Sequence, residues 1–303
     1  MSPTALNAAH GMPPHLKVIE GPGGLPMIEV DNAHATARVS LYGGQVLAYR
    51  PHGAAVDLLF VSEQAHDQPG KAIRGGVPVC WPWFGPDPQG QGRPAHGLAR
   101  TRLWALRQTA ALPGGETQVV LGLHDTADTR ALWPHAFDLS LAITVGRTLR
   151  LALTTRNTDT TPLTITQALH SYFAVGDIAQ TRVQGLDGCA YTDKAAGAGS
   201  AVKPQTGDVT VSAEVDRVYT GVPAQLSIVD GALERRVRIT SEGSHTAVVW
   251  NPWAAIAAGM ADLQDDGYRR FICVETANAG GEVITLAPGS THTLVAQIAA
   301  GPY

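Results

Sequence analysis

Two ionisable side chains stand in apolar segments that are typical of buried strands. His170 follows Leu169 in ALHSYF, and Glu275 follows Val274 in CVET. Imidazole and carboxyl groups are the side chains that most often transfer protons in enzymes. A buried glutamate is rare unless it is paired or functional. A lone histidine in a strand is more often a hydrogen-bonded core residue, so both interpretations of His170 stay open at this point.

Two arginines border segments that are rich in glycine or aromatic residues. Arg74 opens RGGVPVCWPWFG, and Arg100 closes HGLAR, which also holds His96. Adjacent glycines let a backbone approach a ligand closely, and indole rings stack on the apolar faces of sugars. A guanidinium group can bind two oxygens of a phosphate at once. The structural alternatives are a core strand with a charged end and the return of a surface loop.

Two further polar or aromatic segments have simpler structural explanations. Asp216 lies beside Arg217 in VDRVY, where a surface ion pair is the default interpretation. Trp250 and Trp253 enclose an Asn-Pro pair in WNPW, for which we expect core packing or a stiff turn.

The signatures of nucleotide, zinc-protease and serine-hydrolase sites are absent from the sequence, which has no GxGxxG after a strand, no P-loop, no HExxH and no GxSxG. Its 11 histidines include no pair at the spacing of metal ligands. We therefore expect no metal site and no organic cofactor. The 3 cysteines are far apart, which predicts free thiols in a cytoplasmic protein.

The charge balance of the chain excludes several kinds of partner. Lys and Arg number 22 and Asp and Glu number 26 among 303 residues, which gives a formal net charge of −4. Nucleic acids and anionic membranes select basic surfaces, so we expect neither as a partner. The sequence shows no secretory signal, and the longest apolar stretch, 246–261, is too short for a membrane span. We expect a monomer in the cytoplasm.

The elements that position these side chains are predicted to be strands, because apolar and polar residues alternate with period two along most of the chain. Residues 139–145 and 149–153 alternate on either side of Gly-Arg-Thr, which predicts an antiparallel hairpin. Helical periodicity is limited to 126–132 and part of 254–264. The pattern predicts a mainly β chain folded as a large antiparallel β-sandwich or barrel.

The organisation of the chain is simple. No linker or internal repeat divides it, so we expect one β-sandwich domain over residues 25–303, preceded by a lead-in segment of residues 1–24. The glycine-rich stretch 195–201 is predicted to be a mobile surface loop.

Six strings, taken together, resemble one family. IRGGVPVCWPWFGP, AHGLAR, ALHSYFAVGDI, VDRVY, VVWNPW and FICVETAN occur in this order. They resemble the aldose 1-epimerase superfamily and, within it, the D-hexose-6-phosphate mutarotases, over residues 25–299. The resemblance implies a galactose-mutarotase-like supersandwich with the sugar in a cleft across one sheet, and no metal or organic cofactor. It also implies acid/base ring opening and reclosure that interconverts the anomers of a hexose 6-phosphate, with glucose 6-phosphate as the first candidate.

The resemblance also implies residue roles. By motif position His170 looks like the general acid and Glu275 like the general base, placed on opposite sides of one sugar ring. A nearby carboxylate would favour the charged form of His170. Four other residues resemble substrate-binding groups: Arg74 and Arg100 at the anionic end of the pocket, and His96 and Asp216 at the sugar hydroxyls. The pattern departs from the family at Leu98, where an aromatic residue is usual, and Arg102 is interpreted as a solvated residue.

Two other functions remain open. A glycoside hydrolase or lyase would use two carboxylates, which Asp216 and Glu275 could supply at a separation of about 5–5.5 or 6.5–9.5 Å. A non-catalytic sugar-phosphate-binding protein would keep the arginines and indoles without needing both His170 and Glu275. Whether those two side chains face one cleft distinguishes the enzyme from the sensor.

Overall fold

The computed structural model describes residues 2–195, 197, 199 and 201–303, which form 23 strands, three short α-helices and four 3-10 turns. The strands are β1 (Leu16–Glu20), β2 (Pro26–Asp31), β3 (Ala35–Ser40), β4 (Gln45–Pro51), β5 (Val79–Cys80), β6 (Ala105–Ala111), β7 (Thr117–His124), β8 (Phe137–Val145), β9 (Leu149–Asn157), β10 (Leu163–Ile165), β11 (Gln167–Leu169), β12 (Tyr172–Ala174), β13 (Thr181–Gln184), β14 (Ala190–Asp193), β15 (Val202–Pro204), β16 (Val209–Thr210), β17 (Val215–Thr220), β18 (Gln225–Asp230), β19 (Arg235–Glu242), β20 (Thr246–Asn251), β21 (Phe271–Asn278), β22 (Ile284–Leu286) and β23 (Thr291–Pro302). The helices are α1 (Pro3–His10), α2 (Ala127–Leu132) and α3 (Trp253–Ala257).

Two large sheets dominate the architecture. One has nine strands in the order β16-β13-β18-β19-β23-β9-β8-β7-β6. The other has eight, in the order β15-β14-β17-β20-β21-β11-β5, with β12 also paired to β21. A four-stranded sheet, β1-β2-β3-β4, and the pair β10-β22 complete the described strands. Neighbouring strands such as β8 and β9 or β20 and β21 run antiparallel, so the prediction of a mainly β antiparallel sandwich is confirmed.

The main core lies between the two large sheets. On β8 every second residue from Leu139 to Val145 is completely buried, and Ile272 and Val274 of β21 belong to the same apolar cluster. This is the face that period-two alternation predicts. The predicted hairpin of β8 and β9 is present, with Val145 paired to Leu149.

The alternation along β21 decides which side chains reach the outer face of the eight-stranded sheet. Because Ile272 and Val274 point into the core, Cys273 and Glu275 point the opposite way. Trp250 of β20 is paired with Cys273 and shares this outer face. The sheet thereby presents one carboxyl group among apolar neighbours.

The first 24 residues contribute a helix and a strand. β1 pairs with β2, and Leu6 of α1 and Leu16 of β1 are buried in the main core. Period-two alternation does not predict α1. Its start signals are Ser2, whose hydroxyl accepts the Ala5 N–H, and the proline that follows Ser2. The division of the chain at residue 25 stays a prediction.

Three other expectations concern a loop, the thiols and membranes. The predicted mobile loop 195–201 includes positions 196, 198 and 200, which lie outside the described residues. The three cysteines are unpaired. None of the described helices is long and apolar enough to cross a membrane.

Candidate active site

One cleft on the outer face of the eight-stranded sheet gathers the side chains that the sequence motifs single out. It has a volume of about 890 Å³. Its lining includes Arg74, His96, Arg100, His170, Asp216 and Glu275. Residues of β17, β20 and β21 form the floor, and the loop that follows β5 forms one wall with Phe84, Pro86 and Pro88.

His170 and Glu275 are in contact on the cleft floor. The Nε2 atom of His170 lies 3.5 Å from Oε1 of Glu275, and the two side chains are 9% and 1% exposed. Because β11 ends at Leu169 and β12 begins at Tyr172, His170 lies at a break between two strands that both pair with β21. Its main-chain N–H donates to the Pro78 carbonyl. The pair therefore lies side by side, and not on opposite sides of a sugar ring as expected from the sequence.

Each member of the pair has one buried polar atom without a protein partner. Within the described part of the chain, neither Nδ1 of His170 nor Oε2 of Glu275 makes a hydrogen bond. Leaving such an atom unsatisfied costs about 1–3 kcal/mol, and native proteins keep few of them. Both atoms are thus available for a hydrogen bond to a polar ligand or to water.

Burial opposes a charge on either member of the pair. It lowers the pKa of His170 well below the usual 6.5, and the neighbouring His96 and Arg100 lower this pKa further. Burial raises the pKa of Glu275 well above the usual 4.5, with Asp216 adding to the rise and Arg100 opposing it. Burial thus outweighs the attraction that was expected to favour a charged His170. When the pair holds one proton, one member can donate and the other can accept.

His96 is held in the cleft wall as a neutral hydrogen-bond donor. The main-chain N–H of Gly85 donates to its Nδ1 atom over 3.3 Å, so the ring proton lies on Nε2. Burial, with the charges of Arg100 and Arg74, lowers the pKa of His96 to about 3. Its φ of 61° is a strained conformation for a residue other than glycine, of the kind that functional sites retain.

Arg74 lines the cleft but already binds two protein groups. Its Nε and Nη2 atoms donate to Oδ2 of Asp262 over 3.2 and 3.0 Å, and Nη1 donates to the Tyr172 hydroxyl over 3.0 Å. A guanidinium group has five N–H donors, so two remain for a substrate. Because Asp262 offsets its charge, Arg74 is a weaker anion site than expected from the sequence.

Arg100 has the more available positive charge of the two arginines. Within the described residues its guanidinium makes one hydrogen bond, from Nη2 to the Ala95 carbonyl over 2.9 Å, and no ion pair. It lies close enough to Glu275 to oppose the rise in the pKa of that carboxyl group. Lys194, whose side chain is exposed, adds a second cation where β14 ends.

Asp216 extends the polar floor beyond the pair. It lies on β17 opposite Trp250 of β20. Burial raises its pKa to about 6, with other carboxylates adding to the rise and Lys194 opposing it. Instead of forming the ion pair considered for VDRVY, Arg217 packs over the Tyr191 ring, away from the cleft.

Several residues of the site escaped sequence reasoning. Trp250 lines the cleft and also packs against buried apolar side chains, and Trp253 packs against Tyr268. Lys194 and Asp262 lie between elements, where no periodic pattern marks them. Their positions depend on tertiary packing, so the sequence offers no signal for either.

The departures from the family pattern lie outside the cleft lining. Leu98 is buried in the main core, and Arg102 does not line the cleft. Among the described residues, no group of three or more His, Cys, Asp or Glu side chains is arranged to hold a metal ion.

The fold is that of the galactose-mutarotase-like proteins. A crystal structure of a galactose mutarotase-like protein from Clostridium acetobutylicum matches with a TM-score of 0.74 over 95% of this chain and 98% of that chain, at 15% identity. At this identity the match defines the class of fold alone, and it confirms the supersandwich that the motifs implied.

The chain belongs to the aldose 1-epimerase family, whose model matches residues 26–299. A relative from Escherichia coli, named "Putative glucose-6-phosphate 1-epimerase", is 40% identical over 256 residues, which are 84% of each chain. A crystal structure of "a putative mutarotase" from Salmonella typhimurium has a TM-score of 0.89 and 34% identity over 97% of this chain and 96% of that one. The family resemblance read from the motifs is confirmed.

Proposed function

We propose that the protein is an isomerase that interconverts the α and β anomers of a hexose 6-phosphate, with D-glucose 6-phosphate as its substrate. The contact between His170 and Glu275, in a cleft that also holds Arg100, is the observation that carries the proposal. Family membership supports the reaction type, and the names of the relatives support the phosphorylated sugar.

The spacing of the pair suits the two oxygens that exchange protons in this reaction. O1 and the ring oxygen O5 of an aldose are bonded to the same carbon, C1. An acid and a base whose nearest atoms are 3.5 Å apart can therefore reach both oxygens from one side of the sugar. The sugar ring lies above the pair on the open side of the cleft.

The proposed reaction is balanced in protons. Since Nε2 of His170 contacts Oε1 of Glu275, the single proton of the pair can pass to His170 before the ring opens. Glu275 takes the proton of the C1 hydroxyl, the C1–O5 bond breaks, and O5 receives the proton of His170. Rotation about C1–C2 presents the other face of the aldehyde, and the reverse transfers close the ring. Each positioned group contributes about 10²–10⁴-fold to the rate.

Substrate binding is assigned to the polar groups around the pair. Arg100 and the two unused N–H groups of Arg74 supply donors for the phosphate. The Nε2–H of His96 donates to a sugar oxygen, and the Asp216 carboxylate accepts from sugar hydroxyls. Trp250 offers a ring face for the apolar side of the sugar.

The two alternative functions use the site less well. A sugar-phosphate sensor has no use for a buried acid and base with unsatisfied atoms. A hydrolase would use Asp216 and Glu275 as its pair, but the group in contact with Glu275 is the His170 imidazole. We also propose a cytoplasmic monomer. Its support is the unpaired cysteines and the small number of exposed large apolar side chains among the described residues, Val56, Leu103, Val202, Ile256, Val283 and Tyr303.

Anomer exchange, measured by magnetisation-transfer NMR, tests the function. The wild-type protein should accelerate exchange of glucose 6-phosphate more than that of free glucose or galactose. Glu275→Gln and His170→Asn should each lower kcat by about 10²-fold or more, because each removes one proton-transfer group. The double variant should be scarcely slower than the worse single variant.

Sugar-phosphate binding and near-UV circular dichroism serve as controls, and both should stay close to wild type in the single variants. Exchange no faster than in buffer with the wild-type protein would contradict the proposed function. Full activity in both variants would contradict the residue roles and favour a different site.

A further inference from the structure

The imidazole of His170 lacks the hydrogen bond that usually orients a proton-transferring histidine. In such residues the second ring nitrogen normally bonds to a carboxylate or a carbonyl, which fixes the tautomer and the plane of the ring. Here Nδ1 has no partner in any other residue of the described chain, and the backbone group that acts on the ring is that of His170 itself. Something else must hold the ring plane.

A ring stack takes the place of that hydrogen bond. The centroids of the His170 and Tyr172 rings are 4.9 Å apart, and their planes differ by 11°. Trp250 and His96 meet the imidazole edge-on, with centroids at 6.0 and 5.8 Å. Tyr172 is anchored by its pairing with Cys273 of β21. Rotation of the imidazole would break its stack with Tyr172.

Tyr172 is held in turn at its hydroxyl group. Arg74 donates to that oxygen over 3.0 Å and to Asp262 through two N–H groups. The segment that carries Asp262 is tied down by Gln264, whose Oε1 atom accepts the Ser62 hydroxyl over 2.9 Å. Neither Tyr172 nor Asp262 lines the cleft.

We propose that Asp262, Arg74 and Tyr172 form a chain of contacts that fixes the plane of the His170 imidazole, with Tyr172 and Asp262 as positioning residues. The inference rests on the proposed function of His170 and Glu275. Proton transfer is sensitive to small displacements, so a ring free to rotate transfers protons more slowly. Asp262 acts on the rate without touching the substrate.

Three variants test this chain at successive contacts. Tyr172→Leu removes the stack and should lower kcat by about 10-fold or more, with KM little changed, because alignment of the acid is lost in the transition state. Tyr172→Phe keeps the stack but loses the bond to Arg74, and Asp262→Asn removes the negative charge that pairs with Arg74. Each should lower kcat by about 3-fold. Each variant should lower kcat by the same factor on glucose 6-phosphate and on free glucose. Loss of a contact between Arg74 and the phosphate would instead slow the reaction of glucose 6-phosphate alone.

Tyr219→Phe is the matched control. Tyr219 is a buried tyrosine of the same sheet whose hydroxyl donates to Gln205 on the core side. This variant should lower Tm as Tyr172→Phe does and leave kcat unchanged.

NMR of protein labelled with ¹⁵N-histidine gives a readout that does not depend on activity. The His170 ring signals, identified by their loss in His170→Asn, should report one tautomer in the wild type and shift or broaden in the Tyr172 and Asp262 variants. Wild-type kcat and ring signals in folded Tyr172→Leu would overturn the inference. If Tyr172→Leu does not fold, wild-type kcat and wild-type ring signals in both Tyr172→Phe and Asp262→Asn would overturn the inference. Inactive wild-type protein would overturn the proposed function instead, and the ring signals would still decide the positioning role.

Discussion

A buried imidazole in contact with a buried carboxyl group titrates as a unit. Burial lowers the pKa of His170 from 6.5 and raises the pKa of Glu275 from 4.5. Below the lower transition the pair holds two protons and has no base, and above the upper one it holds none and has no acid. Only the form with one proton can both donate and accept.

We predict that kcat for anomer exchange passes through a maximum and falls on both the acid and the alkaline side. Because the pKa of His170 is lowered, the acid limb should lie below pH 6.5. The raised pKa of Glu275 moves the loss of the remaining proton well above pH 4.5. Exchange NMR between about pH 5 and 9 checks this profile. An unshifted imidazolium acid with a carboxylate base would instead lose activity above about pH 6.5.

Arg100 should set the preference for a phosphorylated sugar. We predict that Arg100→Ala raises KM for glucose 6-phosphate by about 10- to 100-fold, which corresponds to the loss of a charge-assisted hydrogen bond. KM for free glucose should change little. Arg102→Ala is the matched control, because Arg102 does not line the cleft. Equal losses on both sugars would show that Arg100 is structural.

The family resemblance of six short strings, and not residue type alone, named the six residues that line the cleft, but not how they meet. The side-by-side contact of His170 and Glu275 depends on the break between β11 and β12, which the continuous apolar pattern hides. The ion pair of Arg74 with Asp262 joins residues far apart in sequence. Such contacts follow from tertiary packing, so a local pattern cannot show them.

At the level of elements, the Asp216 carboxyl group on β17 should lower the free energy of unfolding near neutral pH. The pKa of Asp216 is raised to about 6 in the folded protein, from 3.8 when it is unfolded, so the folded state binds more protons between these values. The contribution of Asp216 to the free energy of unfolding therefore falls as pH rises from about 4 to about 6.

We predict that Asp216→Asn is more stable than the wild type at about pH 8, by about 1–2 kcal/mol once partial exposure is allowed for. The difference should shrink toward about pH 4, where both side chains are neutral. Urea unfolding at the two pH values measures it. The variant should bind the sugar less tightly. A variant less stable than the wild type at the higher pH would show that Asp216 is not penalised in the folded state.

The loop that walls the cleft is built around an ion pair between Asp87 and Arg93, whose side chains are little exposed. Asp87 accepts the main-chain N–H groups of Gln89, Gln91 and Arg93 and the Nε of Arg93, the last over 2.9 Å. The Arg93 guanidinium lies 4.3 Å from the centroid of the Trp83 ring. Pro86 and His96, on either side of this ion pair in sequence, line the cleft. A loop that is less rigid should therefore weaken substrate binding.

We predict that Arg93→Ala raises KM several-fold with a smaller change in kcat, because it removes the counter-charge of Asp87 and loosens the wall. Arg130→Ala is the control, since Arg130 is 57% exposed and pairs with Asp125 at the surface. It should lower Tm less than Arg93→Ala and leave KM unchanged. Steady-state exchange rates and thermal unfolding measure both. A similar, small effect of the two variants would mean that the loop does not need its ion pair.

At the level of the whole molecule, period-two alternation predicted the mainly β class because it is local, whereas the order of strands in the sheets is not. β5 and β11 are neighbours although β6 to β10 lie between them in sequence. Residues 162–169, which continue the apolar alternation, are divided between β10 and β11, which belong to different sheets. Strand pairing is decided by which apolar faces meet in the core, and no single segment contains that information.

Residues 1–24 look separable in sequence, yet they complete the core. Asn7 of α1 and Val18 of β1 exchange two hydrogen bonds of 2.6 and 2.7 Å, and Leu6, Leu16 and Val18 are buried in the main cluster. We predict that a chain that starts at Leu25 loses about 5 kcal/mol of stability, at about 1.5–3 kcal/mol for each buried side chain. That is a large part of the about 5–15 kcal/mol typical of a folded protein, and the edge of β2 becomes exposed to aggregation. Urea unfolding of this shortened chain and of the Leu16→Ala variant of the 303-residue chain measures the loss. The free energy of unfolding of Leu16→Ala should lie between those of the shortened chain and the wild type. An unchanged midpoint would make residue 25 a true domain boundary.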